Sequence, residues 1–462
     1  MESFILQLLK EKKVVDEKPS PVLSIVVPVK NNGSTIKSTL INVLNAIDES
    51  CELIVLDNAS TDNSAQVYNE LKGYKNLIIK SFSKPVSMSK NWERGLDVYS
   101  GDFITVIGGD DGFYDKGLKA LLNILKNCNP KVPISWGKIG YRWPFYDKIS
   151  KNGSFRFRSM ARTKNTKLSS ALVLKKILNR LDREYLVLPS IYNSAIPRSI
   201  IDDIRKSDGI FFNAQTPDVY SGLRVCLEVN EYTFLPFPVG ISGVSTQSNG
   251  VATFSLSENP IASDFNRHNK EDGNDFAVWL PPYHCLATCI VDTYEKLQTR
   301  SKKNKDIIFP KVNGSRFLRE IVKHFDVNDV HKSMYFPKIK EMLKTLQNDK
   351  RALNIFKINP DYEVNQINLV PPRNKLIKSI YIQIRRSLGN KLMIAASAKF
   401  NSIDVAANSL KKPFYFNDKL VELWVKTKKR DLHFANKLIG ALLKKSTLVS
   451  FIIVCIIFKR YK

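Results

Sequence analysis

Asp110 and Asp111 stand side by side in the stretch SGDFITVIGGDDGFYDKG, residues 100–117. Phe103, Ile104, Val106 and Ile107 read as a buried strand that Gly108 and Gly109 end, and Gly112 permits a second sharp turn. Adjacent carboxylates repel each other, so a sequence that sets two at a strand end either leaves them in water or gives them a cation to hold. Lys30-Asn31-Asn32 and Asp57-Asn58 close two other apolar runs. Asp218 follows Thr216 and Pro217, a capping residue and a proline suited to the first helical position. That places Asp218 in the first turn, where the helix dipole favours a carboxylate.

The elements that must position these groups alternate. Apolar runs at 22–29 (VLSIVVPV), 51–57 (CELIVLD), 76–82 (NLIIKSF) and 102–109 (DFITVIGG) are separated by amphipathic helical patterns. Strands of this length between helices predict βαβ units, whose ligands bind beyond the C-terminal strand ends. Three such ends therefore carry polar groups that can converge on one crevice. From about 130 to 255 aromatic and proline-bearing runs predict shorter mixed or antiparallel strands, with helices over 169–185, after 197 and after 217. Residues 256–300 read as a loop-rich connection and a helix, and the pattern beyond is helical and basic.

The chain has 462 residues and a formal net charge of +27. That charge points to an anionic partner: a membrane surface, a nucleic acid or a phosphorylated substrate. Residues 371–462 hold 20 Lys/Arg against 4 Asp/Glu, a net +16. Within this tail, residues 447–458 are an apolar segment bracketed by lysines and arginine, too short to cross a bilayer comfortably and suited to entering one leaflet. The N-terminal MESFILQLLKEKK reads as an amphipathic helix over 1–20 without a signal-peptide cleavage site. Six scattered cysteines without C-x-x-C predict free thiols in a reducing compartment. Cys285 and Cys289, one helical turn apart, read as core residues and not as a metal cluster with His284.

The ordered set LSIVVPVKNNGSTIKSTLINVL, ELIVLDNASTDNS, NWERGL and GDFITVIGGDDG resembles the N-terminal half of family 2 glycosyltransferases of the GT-A fold, which take a nucleotide-sugar donor and invert the anomeric centre. The likeness is specific over residues 22–120 and thin over 121–250, where TPDVYSG is similar to the acceptor-side carboxylate segment; none is claimed for 301–462. It implies an α/β fold, a Rossmann-like mixed sheet flanked by helices. Residues 21–130 would be the donor half, 131–255 the acceptor half, 256–370 a helical extension and 371–462 the basic helical tail.

The resemblance also assigns roles. Pro28, Val29 and Asn31 would meet the nucleobase, and Asp57 would accept from its imide, which favours uracil. Asn91 would lie near the nucleoside and Arg94 near phosphate. Asp110 would serve the ribose or the metal and Asp111 the metal, Mn²⁺ or Mg²⁺, which neutralises the departing diphosphate. Many relatives carry a further aspartate where Gly108 or Gly109 stands. Asp218 would be the general base, ahead of Asp202, Asp203 and Asp208; Gln247 and Ser248 would reach sugar or phosphate.

The implied function is transfer of a sugar from a UDP-linked donor to a lipid-linked or growing glycan in surface polysaccharide synthesis. It implies a cytoplasmic protein held peripherally on an anionic membrane by its tail. Two other readings stand beside it: a degenerate domain of the same fold that binds glycan or nucleotide, and a nucleic-acid or anionic-surface binder. The last lacks a recognisable nucleic-acid motif.

Overall fold

The structure is a computed structural model. It describes residues 20–128, 131–145, 152–156, 167–181, 183–253, 259–277, 280, 285–300, 309–314, 316–317, 320–321 and 356–357. The helix expected over 1–20, apart from Ser20, and the whole tail 371–462 with its apolar segment lie outside the described residues. The chain divides into a unit of residues 1–409 and one of 410–462, and the second contains no described residue.

The first half follows the alternation. Strand β1 (Leu23–Val29), helix α1 (Ile36–Leu44), β2 (Cys51–Asp57), α2 (Ser64–Leu71), β3 (Leu77–Ser81), α3 (Met88–Gly95) and β4 (Phe103–Val106) come in that order. β1 pairs in parallel with β2 on one side and with β4 on the other, and β3 extends the parallel run beyond β2. β1 and β2 are apolar almost throughout because both faces are covered, as parallel strands require. Leu23, Ile25, Val27 and Val29 pack against α1 and α2 on one face. Val26, Ile54 and Leu56 meet Trp92 and Leu96 on the other.

The second half makes the sheet mixed. β5 (Gly112–Phe113), α4 (Asp115–Asn127), β6 (Ile134–Arg142), β7 (Ser154–Arg156), β8 (Lys167–Ser169), α5 (Ser170–Arg180), β9 (Ser194–Pro197), α6 (Arg198–Asp208), α7 (Pro217–Glu228) and β10 (Glu231–Val244) complete it. β9 runs antiparallel between β4 and β6, while β6 and β10 are parallel with register shifts around Pro238. β5 pairs antiparallel with β10, so Gly112 faces Ile241 and the two-aspartate turn is carried to the end of β10.

Three short or long helices follow: α8 (Asn249–Thr253), α9 (Pro260–Glu271) and α10 (Leu286–Arg300). α10 buries Ile290, Tyr294 and Leu297, and Cys285 just before it joins them, in the same apolar cluster as Leu223 of α7 and Leu178 of α5. The core therefore runs across residue 255 without a break. The described cysteines are buried free thiols, and Cys285 and Cys289 are among them. Among the described residues no helix is long and apolar enough to cross a membrane.

Candidate active site

A cleft of about 1020 Å³ opens at the C-terminal ends of β1, β2 and β4. Pro28, Val29, Asn31, Asn91, Asp110 and Asp218 all line it, and so do Gln247 and Ser248. Asp57, Arg94 and Asp111 do not.

The two-aspartate turn is held from three directions. On α1, Thr35, Thr39 and Asn42 form a polar stripe at helical spacing. Thr35 Oγ1 donates to Gly109 O at 2.7 Å, Thr39 Oγ1 to Asp111 O at 2.7 Å, and Asn42 Nδ2 to Phe113 O at 3.1 Å. From β6's end, Trp143 Nε1 donates to Asp110 O at 2.8 Å. From β10, the Gly243 amide donates to Asp111 Oδ1 at 2.7 Å. Only glycine permits that approach: a Cβ at position 243 would lie 1.7 Å from Asp110 O.

The two carboxylates part company here. Asp111 is 1% exposed and its oxygens accept from the Gly108 and Gly243 amides and from the Tyr192 hydroxyl. Burial pushes its carboxyl up to about 6, with Asp110 adding to the rise and Lys138 opposing it. Asp110 is the one that lines the cleft; its Oδ2 accepts from Ser245 Oγ at 2.7 Å and from Ser248 Oγ at 2.5 Å. Asp110 Oδ1 receives no donor among the described residues. The sequence reading sets Asp111 on a metal and Asp110 on the ribose or the metal; of the two, Asp110 is the one that reaches the cleft. A side chain at either preceding glycine would crowd its neighbours. A Cβ on Gly108 would come within 3.1 Å of Asp110 Oδ1, and one on Gly109 within 3.0 Å of Asn32 Cγ.

The nucleoside-side residues divide likewise. Asn31 and Ala59 both adopt left-handed backbone, at φ 57° and 55°, at the ends of β1 and β2. Asparagine tolerates this and alanine less so, at a cost of about 1 kcal/mol. The two turns are laced together: the Asn31 amide donates to Ser60 Oγ at 3.0 Å, and the Thr61 amide to Asn31 Oδ1 at 2.8 Å. Asp57 is buried behind them, its Oδ1 accepting from the Ser60 amide at 3.1 Å. Its neighbour Asn58 reaches the cleft, pinned by paired bonds with the Val86 backbone. Asn91 donates to Leu56 O at 3.3 Å, and its buried Oδ1 has no partner. Arg94 lies outside the cleft, stacked 4.0 Å from the Phe82 ring centroid and bonded to Asn58 Oδ1 at 3.4 Å.

Asp218 begins α7 as the sequence indicated, with Thr216 in the cap position and Pro217 next. The turn before it is fixed by α3, whose Glu93 accepts from the Phe211 and Phe212 amides at 3.0 and 2.9 Å. Ser190 Oγ donates to Asp218 O at 2.7 Å. Burial raises the Asp218 carboxyl above its ordinary value, although the Val219 amide and Lys138 pull the other way. Desolvation therefore outweighs the helix-end field that the sequence suggested would dominate. The competing carboxylates are elsewhere. Asp202 and Asp203 are exposed on α6, and Asp208 pairs with the fully buried Arg224 at 3.1 Å.

Tyr192 and Lys138 carry no sequence signal, yet they join the two carboxylate positions. The Tyr192 ring stacks on Trp92, with Lys138 Nζ 3.3 Å from its centroid, and its hydroxyl holds Asp111. Nor does the sequence reading single out Thr35, Thr39 and Asn42, whose targets lie some seventy residues on. On the cleft's far wall, α9 presents Ile261, Asp264, Phe265 and His268, and no motif announced them.

Residues 24–171 match the model described as glycosyl transferase family 2. The match covers the parallel half of the sheet and runs on to the start of α5, the part of the chain where the sequence resembles that family, and the mixed α/β sheet flanked by helices agrees with the fold that the resemblance implied. Among curated relatives, Poly(ribitol-phosphate) beta-N-acetylglucosaminyltransferase TarP of Staphylococcus aureus is 32% identical over 26% of this chain and 36% of its own length. Glycosyltransferase GlyG of Streptococcus pneumoniae is 22% identical over 42% of this chain and 62% of its own. An uncharacterized glycosyltransferase of Haemophilus influenzae is 31% identical over 23% of this chain and 42% of its own. This chain thus spans less than two thirds of each of them. The crystal structure of S. aureus TarS 1-349 with UDP-GlcNAc aligns over 70% of this chain and 87% of that one, at 13% identity and a TM-score of 0.40.

Proposed function

We propose that the protein is an inverting glycosyltransferase that moves a sugar from a UDP-linked donor to a hydroxyl of a lipid-linked or growing glycan. The observation that carries this is one cleft, at the parallel strand ends, lined by both Asp110 and Asp218. The family match over the donor half supports the class, and the likeness to TarP, a poly(ribitol-phosphate) glycosyltransferase by name, supports a polymer acceptor.

Asp218 acts as the general base. It takes the proton of the acceptor hydroxyl, whose oxygen forms a bond to the anomeric carbon as the bond to the diphosphate breaks. Its raised affinity for a proton suits that task. Asp110 is the carboxylate available to Mn²⁺ or Mg²⁺, and its unshared Oδ1 fits a hard cation. Among the described residues no three His, Cys, Asp or Glu gather as a metal cage. Asp110 would be the residue that holds such an ion on this side of the cleft. The ion supplies charge neutralisation for the leaving diphosphate. Asp111 holds the turn in place through Gly108, Gly243 and Tyr192. Asn31, Asn58 and Asn91 face the nucleoside side.

A UDP titration with and without Mn²⁺ tests the reading, paired with release of UDP from a sugar donor. Asp110→Ala is expected to lose metal-dependent binding and turnover while keeping its melting transition. Full turnover in that variant would sink the assignment. A wild type that binds UDP but never releases it from a sugar donor would favour the binding-module alternative.

A further inference from the structure

Of the described residues lining the cleft, Lys30 alone brings a lysine or arginine charge, against the carboxylates of Asp110, Asp218 and Asp264. A nucleoside diphosphate entering this acidic surround needs cations, and among the described lining residues Lys30 is the lysine or arginine at hand. Lys30 lies at the end of β1, two residues before Asn32, which packs on Gly109 of the two-aspartate turn. Its Nζ is 2.5 Å from Asp264 Oδ2, on α9, outside the segment that matches the family.

We infer that Lys30 is the cation that receives the donor's diphosphate, and that Asp264 occupies it until the donor arrives. Asp264 is thus a built-in competitor that sets donor affinity. This rests on reading the cleft as a nucleotide-donor site.

Three observations make the exchange physically easy. Asp264 has a second cation: Arg267 NH2 lies 2.7 Å from its Oδ1, so losing Lys30 does not leave a bare carboxylate. Burial works against ionising Asp264, but Lys30 and Arg267 outweigh it and hold the carboxyl below the usual range. Both partners are partly open, at 27% and 39% side-chain exposure, so the ammonium can swing without breaking a dry contact. Meanwhile α9 stays anchored at its other end. Asp272 accepts from the Ser87 amide at 2.7 Å and from Lys90 Nζ at 2.9 Å. The helix need not move; a side chain changes partners. His268 Nδ1 donates to Asp264 O at 2.8 Å and lies 3.4 Å from Asp264 Oδ1, so it stays beside the carboxylate when Lys30 leaves.

Calorimetric titration of the full chain with UDP, GDP and uridine, at fixed Mg²⁺, tests this. Asp264→Asn keeps the side-chain shape and frees Lys30, so UDP is expected to bind about threefold to fivefold tighter, the scale of a partly exposed ion pair. Uridine, which has no diphosphate, is expected to bind unchanged. Lys30→Met keeps most of the aliphatic stem; UDP should weaken about tenfold, the scale of a charge-assisted phosphate contact, again without effect on uridine. Adding Asp264→Asn to Lys30→Met should bring no gain. If Asp264→Asn leaves UDP affinity unchanged or lowers it, or shifts uridine equally, the competitor role is wrong while the donor site stands. If the wild type binds neither UDP nor GDP, the donor-site reading falls and this inference with it.

Discussion

Asp218 shows two opposed effects at one carboxylate. The start of a helix favours the ionised form, and burial disfavours it; here burial prevails. The consequence for pH follows from the sign. A general base must be ionised, so the acid limb of kcat/KM is expected at a higher pH than an exposed aspartate would give. For stability, the folded value exceeds the unfolded one, so ionised Asp218 weighs against folding. That cost is absent below the unfolded value of about 4 and complete once the pH has passed the raised folded value. Asp218→Asn removes it while keeping an acceptor for the Val219 amide. Its melting temperature relative to wild type is therefore expected to rise as the pH climbs above about 4, and transfer is expected to be lost. A difference that is flat or falls with pH would contradict the burial argument. Thr216-Pro217-Asp218 was readable as a helix start from three letters. That Asp218 would be desolvated was not, because Ser190, α3 and α10 come from elsewhere in the chain.

At the scale of elements, α1 is more than a cover for the sheet. Its apolar side packs against β1 and β2 while Thr35, Thr39 and Asn42 fix the backbone of the two-aspartate turn. Thr39 is fully buried and its hydroxyl serves both Asp111 O and, at 3.2 Å, Gly109 O. Thr39→Val keeps the shape and leaves Asp111 O short of a donor, while Gly109 O keeps Thr35; the loss costs about 1–3 kcal/mol. Urea unfolding should show the midpoint falling with an unchanged slope. An unchanged midpoint would mean the turn does not depend on α1. Metal-dependent UDP binding should weaken in the same variant, since Asp110 belongs to that turn. The glycines of GGDDG announced a turn in the sequence, but the reason for Gly243 did not, because its constraint comes from a strand more than a hundred residues away.

For the whole molecule, the charge is the feature that the cleft does not use. The described charges lining the cleft are Asp110, Asp218 and Asp264 against Lys30, while a net +16 of the total +27 lies in residues 371–462. The proposal that this tail holds the protein on an anionic leaflet predicts binding to vesicles containing phosphatidylserine or phosphatidylglycerol, weakening as salt rises, and no binding to neutral vesicles. Flotation measures this directly. Binding to single-stranded nucleic acid at physiological salt, with none to vesicles, would favour the third reading instead.

What the sequence determined by itself was the order of strands and helices in the first half, the strand-end turns and the start of α7. These follow from local patterns: apolar runs of strand length, helical spacing, and the backbone preferences of Gly, Pro and Asn. Tertiary structure alone decided which carboxylate faces the cleft. Asp110 and Asp111 are identical in type and adjacent, so nothing local separates them; the Gly243 amide and the Tyr192 hydroxyl claim Asp111 and leave Asp110 to the open side. The pairing of Lys30 with Asp264 is of the same kind, since two charges 234 positions apart meet only because α9 folds back across the strand ends.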